Sequence, residues 1–222
     1  VTSEKLKNLF LNITTSVFKI TNGFDHINKE INLDEKFSIS HVGSLYPERN
    51  PKFLWDILEE VFDGSLLSDL QINFIGNTSE KIKKELSKRK FKKSIKFYDY
   101  LDYNKATELM CTSQVLLMVE VNDEESSYAI PGKLFDYLNS KRPIISIGPD
   151  GSEVAQILNN TKSGKFFNYN EVSSLKSHIK KLYNRFINGS NNLNNDTNIE
   201  KYNRKNLTKK LIEIVESVTV KS

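Results

Sequence analysis

The sequence predicts a doubly wound parallel α/β sheet with helices on both faces. Three observations carry this. Strand-length apolar runs alternate with helical segments of about 8–15 residues, the pattern of βαβ units. One run, Val115–Val119, is apolar at every position, as suits a strand buried on both faces of a parallel sheet. Glycines follow directly on strand-like runs at Gly43, Gly76 and Gly148, where a βα turn brings backbone close to its neighbours.

Taken in order, Leu6, Leu9 and Phe10 fall at helical spacing without an evident cap. Phe37–Val42 reads as the first strand, and the polar loop 45–50 follows. Pro51 stands at a first helical position, and Phe53, Leu54, Ile57, Leu58, Val61 and Phe62 form one apolar stripe. Leu70–Ile75 is a second strand, and Ser79 caps a lysine-rich helix that begins with Glu80. Ile95–Tyr98 and 104–113 make the next strand and helix, and Val115–Val119 follows. Pro131 opens a helix through Leu134, Phe135 and Leu138; a strand follows over 143–147. Ser152 caps a helix bearing Val154, Ile157 and Leu158, 164–167 is a short strand, and 171–186 is a helix. The Asn-rich stretch 188–198 reads as a linker before a last helix from about Ile199 to Val218.

Composition narrows the function classes. The 222 residues are 38% hydrophobic and 27% charged, enough apolar material for a packed core. A single cysteine excludes a disulfide framework and a cysteine-based zinc site. The histidines, His26, His41 and His178, are too scattered for metal spacing, so no metal is expected. No apolar run approaches the ~18 residues that span a bilayer, which leads to the expectation of a cytoplasmic protein. The net charge of +4, from 32 Lys+Arg against 28 Asp+Glu, gives no argument for nucleic acid. A start at Val1 suggests a piece of a longer protein.

In doubly wound sheets, ligands bind beyond the carboxyl ends of the strands. Two loops there carry suitable chemistry. In the first, Gly43 permits close backbone approach, the following helix offers free N–H groups, and Arg49 suits a bidentate phosphate contact. Neither G-x-G-x-x-G nor a P-loop pattern occurs. In the second, residues 126–143, Lys133 lies in a first helical turn, where a cation opposes the helix dipole. An anion bound there would account for it. Asp136, three residues on, suits a pair of vicinal ribose hydroxyls. The plainer alternatives are a solvated arginine and a surface Lys–Asp pair.

Several segments together resemble the C-terminal, donor-binding domain of a GT-B-fold glycosyltransferase of the family-4 kind. Residues 19–25 (Lys-Ile-Thr-Asn-Gly-Phe-Asp) resemble the segment entering that domain, and residues 40–51 its glycine loop. Pro131-Gly-Lys-Leu-Phe-Asp-Tyr-Leu with Lys141-Arg-Pro-Ile-Ile resembles the block P-x-K-l-f-E-y-l-a-x-g-k-P-v-l. The end from Tyr202 resembles the terminal crossover helix. The resemblance implies a Rossmann-like sheet and a UDP- or GDP-linked sugar donor bound without a metal or other cofactor. Gly43 and Ser44 would face the diphosphate, although the family usually has arginine at the second position. Arg49 stands where a basic pair is usual, with Asn50 as its second member. Tyr98, Tyr100 and Leu101 fall on the turn that holds the base. The segment Ile130, Pro131, Gly132 would offer backbone N–H groups, from Ile130 and Gly132 since proline has none. Asp136 takes the ribose position of an E-x7-E pattern whose first glutamate falls on Tyr128. Glu124, Glu125, Ser126 or Ser127 are the candidates if the count shifts. Arg49 and Lys133 would stabilise the departing nucleoside diphosphate.

The same resemblance divides the chain. Residues 1–35 would be the tail of an N-terminal acceptor domain, 36–187 the donor domain, 188–198 a linker and 199–222 the crossover helix. The expected function is sugar transfer in glycan or cell-surface polysaccharide synthesis, with the missing N-terminal domain as partner and little activity from this piece alone. A decayed binding module and a nucleotide-sugar epimerase are the rivals. The basic run 81–96, including Lys81, Lys83, Lys84, Lys88, Arg89, Lys92, Lys93 and Lys96, reads as a solvated surface. Its alternative is contact with anionic lipid at the inner face of a membrane.

Overall fold

The computed structural model describes residues 1–14, 16–27, 32–190 and 197–219. Six strands form one parallel sheet: β1 (Phe37–Val42), β2 (Leu70–Ile75), β3 (Ile95–Tyr98), β4 (Val115–Val119), β5 (Ile144–Gly148) and β6 (Gly164–Asn168). Their order is β3-β2-β1-β4-β5-β6, so the chain reverses direction across the sheet between β1 and β4. The expected doubly wound sheet is what forms.

Side-chain alternation along β4 divides the core. Val115, Leu117 and Val119 join one cluster with α2 (Lys52–Val61), α3 (Glu80–Leu86) and α7 (Val172–Ile187). Leu116 and Met118 join a second with α4 (Tyr103–Thr112), α5 (Lys133–Asn139) and α6 (Glu153–Thr161). The first helix, α1 (Glu4–Leu11), does have a cap: the Ser3 hydroxyl accepts from the Leu6 N–H. Ser79 and Ser152 cap α3 and α6 as expected.

Several boundaries differ from expectation by a single residue, and three by more or in kind. Pro51 is the N-cap of α2, with a 3-10 turn, Pro47–Arg49, before it. The helix expected from Pro131 begins at Lys133, since Pro131 and Gly132 form the turn that leads into it. The last helix, α8, runs Arg204–Thr219; Ile199 belongs to a 3-10 turn, Thr197–Tyr202, that buries Ile199 and Tyr202 in the second cluster. The expected linker 188–198 therefore covers the end of α7's exit and the start of a packed turn, and 191–196 lies outside the described residues. No residue of α8 is buried, and Leu211, Ile212, Val215 and Val218 are exposed.

At the centre of the sheet the ladder opens. β1 pairs with β2 out to Val42 opposite Ile75, and β4 pairs with β5 out to Val119 opposite Ile147. Between β1 and β4 the pairing stops at Ser40 opposite Leu116. The backbone groups beyond that point need other partners.

Candidate functional site

Side chains supply those partners. The Val42 N–H donates to the Tyr137 hydroxyl at 2.9 Å, and that hydroxyl donates to the Leu117 carbonyl at 3.2 Å. His41 Nδ1 lies 3.1 Å from the same carbonyl, and Lys133 Nζ donates to the Val42 carbonyl at 3.2 Å. The crevice where β1 and β4 part is thus lined by His41, Tyr137 and Lys133. It opens at the carboxyl ends of the strands, where doubly wound sheets place ligands.

Gly43 roofs this crevice. Its φ of +106° is one that residues with a Cβ rarely adopt, and a Cβ there would lie 3.8 Å from Lys133 Nζ. Burial pushes Lys133 down to about 7, with Arg49 adding to the shift and Glu120 opposing it. Arg49, from the 3-10 turn after β1, directs its field at Lys133, Glu120 and His41. Burial holds His41 well below its ordinary value, with Lys133 contributing, so the ring stays neutral at physiological pH. Among the described residues its Nε2 has no hydrogen-bond partner of ordinary geometry, although the Ser44 backbone acts on the ring.

Glu120, directly after β4, was not singled out by the sequence. It is 4% exposed, and both carboxylate oxygens accept from the Ser152 hydroxyl, at 3.2 and 3.0 Å. Burial pushes it up to about 7, against the lowering effects of Ser152, Lys133 and Arg49. Tyr169, after β6, donates to the Glu120 carbonyl at 2.7 Å. A Cβ on Gly148 would come within 2.5 Å of Glu120 Oε2, so glycine at the end of β5 is what lets the carboxylate pack there. The available signal was a lone charge immediately after an all-apolar strand.

Asp136 occupies a different corner. It accepts from the Tyr103 hydroxyl at 3.2 Å and lines a cavity of about 350 Å³ with Asp25, His26, Tyr103, Asn104, Thr107 and Arg204. Burial raises its pKa, while Tyr103 and Arg204 pull it down. Lys133 and Asp136 form no ion pair, so the surface-pair alternative does not describe them. Tyr98 is partly buried, with its phenol pKa raised by burial. Tyr100 is 94% exposed, and Leu101 is partly exposed beside it.

The loop before α5 departs from expectation. Ser127 is 2% exposed; its hydroxyl donates to the Glu124 carbonyl and accepts from Lys5 Nζ. The Tyr128 carbonyl accepts from the Ser3 hydroxyl, and Lys5 Nζ sits 5.4 Å from the Tyr128 ring centroid. α1 therefore straps this loop, and Ser127 is a packed residue with its hydroxyl already engaged. The Ile130 side chain is buried in the second cluster, whereas Gly132 is exposed and Pro131 partly so. Ser44 is partly exposed next to Gly43. Asn50 faces inward: Trp55 Nε1 donates to it at 2.7 Å, and it donates to Glu85 at 2.8 Å. It is a packing residue, and Arg49 is the cation of that turn. Among the described residues, no group of three or more His, Cys, Asp or Glu could hold a metal ion, and no helix is long and apolar enough to cross a membrane.

No protein-family model and no curated protein sequence matches the chain. Solved structures do. A mutant of S. aureus TarM, in complex with fondaparinux, alpha-GlcNAc-glycerol and UDP, superposes with a TM-score of 0.71 at 15% identity over 96% of this chain. The chain has the fold of a GT-B C-terminal domain. The lipopolysaccharide outer core galactosyltransferase WaaB, in its apo form, gives 0.70 at 16% identity over 96% of the chain. The pneumococcal O-GlcNAc transferase GtfA, in complex with UDP and GlcNAc, gives 0.68 at 15% identity over 99%. This GT-B-like chain spans only 43%, 59% and 44% of those three chains.

Proposed function

We propose that the chain is the donor-binding half of a glycosyltransferase, moving a sugar from a nucleotide-sugar to an acceptor in glycan or cell-surface polysaccharide synthesis. The observation that carries this is the Lys133 ammonium, lodged beneath Gly43 where β1 and β4 part, with one hydrogen bond among the described residues and Arg49 close by. An ammonium has three donors, and a diphosphate would engage those that Val42 leaves. In this reading Lys133 and Arg49 meet the charge that grows on a departing nucleoside diphosphate. Asp136 holds the ribose from its own corner, and Tyr98, Tyr100 and Leu101 border the base. No metal or other cofactor is required for this chemistry. Acceptor and nucleophile would come from an N-terminal half, with residues 1–35 as its tail and the exposed apolar side of α8 turned toward it. Little transfer is expected from the chain alone.

The UDP present in two of those solved neighbours supports a UDP-linked donor, with GDP as the other candidate. A cytoplasmic place at the inner face of a membrane is consistent with exposed Lys81, Lys84, Lys88, Lys92, Lys93 and Lys96, although Arg89 is engaged by Asp56, Glu59 and Glu85. A second reading, a binding module that has lost transfer, draws on Ser44 at the usual arginine position and on the strapped 127–128 loop. Calorimetric titration with UDP, GDP and ADP tests the proposal. Binding of at least one at millimolar concentration or tighter is expected, and no heat with any of the three would remove the donor-site reading.

A further inference from the structure

The loop between β4 and α5 is held from outside. Residues 121–129 leave β4 after Glu120 and reach Lys133 through the buried Ile130, so the loop borders the diphosphate corner at both ends. Its internal bonds are local: the Ser127 N–H and hydroxyl both donate to the Glu124 carbonyl, and the Ser126 N–H donates to Asp123. Among the described residues, the hydrogen bonds that tie it to the rest of the chain come from α1 and its cap. The Ser3 hydroxyl donates to the Tyr128 carbonyl and Lys5 Nζ donates to the Ser127 hydroxyl, both at 2.5 Å.

α1 has its own anchors, independent of that loop. The Lys5 N–H donates to Glu153 Oε1 at 2.9 Å, and Lys19 pairs with Glu4 at 2.8 Å and with Glu153 at 3.8 Å. The Ile20 N–H donates to the Val1 carbonyl at 2.9 Å, which closes the segment around the helix. Gly151 leaves room for it: a Cβ there would lie 3.3 Å from Lys5 Nζ. Among the described residues Lys5 forms no ion pair. Its ammonium is spent on neutral groups of one loop, the Ser127 hydroxyl and the Tyr128 ring. Ser3 is fully buried and Ser127 nearly so, and a hydrogen bond from a charged donor is stronger than one between neutral groups.

Resting on the donor-site reading above, we propose that Lys5, with Ser3 beside it, is a positioning residue for the donor: the two hold residues 127–128, and through them set the backbone that follows. In that reading Ile130 and Gly132 offer N–H groups to the diphosphate, and neither donates to a backbone carbonyl among the described residues. Both follow within four residues of the clamped pair. A loop ordered before the ligand arrives loses less entropy on binding. Lys5 itself does not touch the ligand; it acts through Ser127.

The test is calorimetric titration with UDP, GDP and ADP and with the matching nucleosides, alongside hydrogen exchange of the ligand-free proteins. Lys5→Met keeps the side chain's length and removes the ammonium. Ser127→Ala removes the acceptor and leaves the charge. Each should weaken whichever diphosphate binds by about threefold to tenfold, the size of one hydrogen bond. The double variant should be no weaker than the weaker single, because both changes break the same contact. Nucleoside affinity should not change, since Asp136 and loop 98–101 are untouched. Amides 124–130 should exchange faster in both variants, with those of the sheet unaltered. Unaltered exchange in 124–130, or unchanged diphosphate affinity in both variants, would overturn the proposal and leave the donor site standing. So would a loss in Lys5→Met alone, which would make Lys5 a charge acting on the ligand, or additive losses in the double variant. An equal loss for nucleoside and diphosphate would show a general disturbance and overturn it too. No binding of any nucleotide by the unmodified chain would overturn both the proposal and the donor site.

Discussion

Glu120→Gln should make the chain more stable at pH 8. The perturbation replaces a buried carboxylate by an amide of similar shape, whose oxygen still accepts from Ser152. The magnitude follows from proton affinity. Holding the carboxyl at about 7, where its ordinary value is 4.5, opposes ionisation by about 3 kcal/mol at about 1.4 kcal/mol per decade. The sign is that of a raised acid. Below pH 4.5 the residue is protonated in folded and unfolded chains alike, and it contributes no penalty. As pH rises to 7 the unfolded chain ionises first, so folding loses ground; above 7 the loss is complete. Relative to wild type, Glu120→Gln should therefore gain about 2–3 kcal/mol between pH 4.5 and 8. Urea unfolding of both proteins at pH 4.5 and pH 8 measures it, because titrating groups remote from Glu120 cancel in the difference. A difference that does not grow with pH, or a variant less stable at pH 8, would show that Glu120 is not a strained carboxylate.

Other outcomes follow from single contacts. Asp136→Ala should weaken a bound nucleoside diphosphate and its bare nucleoside alike by about tenfold or more, since charge-assisted hydrogen bonds of about 1.5–3 kcal/mol are lost. Lys133→Met should weaken only the diphosphate, and unchanged affinities in both would detach the pair from the site. Gly43→Ala meets no backbone at its new Cβ but keeps a φ of +106°, so a cost of about 1–3 kcal/mol is expected by denaturation, with diphosphate affinity lowered as well. Asn50→Ala leaves the fully buried Trp55 without an acceptor for its indole N–H and should cost about 1–3 kcal/mol, with nucleotide affinity unchanged if Arg49 is the cation of that turn.

The strands and most helices were legible because each carries its period within a few residues. Val115–Val119 needs no neighbour to read as doubly buried, and Gly43 announces a turn by itself. Lys133 was legible for a local reason too, as a cation in the wrong turn of a helix. The strap across Ser127 was not legible, since Ser3 and Lys5 act across more than 120 residues of chain. Asn50 reads as a phosphate-side residue until Trp55 and Glu85 are seen to hold it. Ile199 carries helical spacing, yet packing of Tyr202 against Phe135 sets a tighter turn before α8 begins.

Glu120 shows why the remainder was hidden. What makes it unusual is its surroundings: β1 and β4 part after Ser40 and Leu116, Gly148 leaves room, and Ser152 closes above. None of these lies beside it in sequence. A chain shaped only for stability would do better with an amide at 120, because an isolated buried charge opposes folding. The carboxylate and ammonium are instead kept apart at the ends of β4 and β1, each bonded to a neutral partner. That separation is poor design for an internal ion pair. It suits a site in which an incoming polyanion meets the cations Lys133 and Arg49.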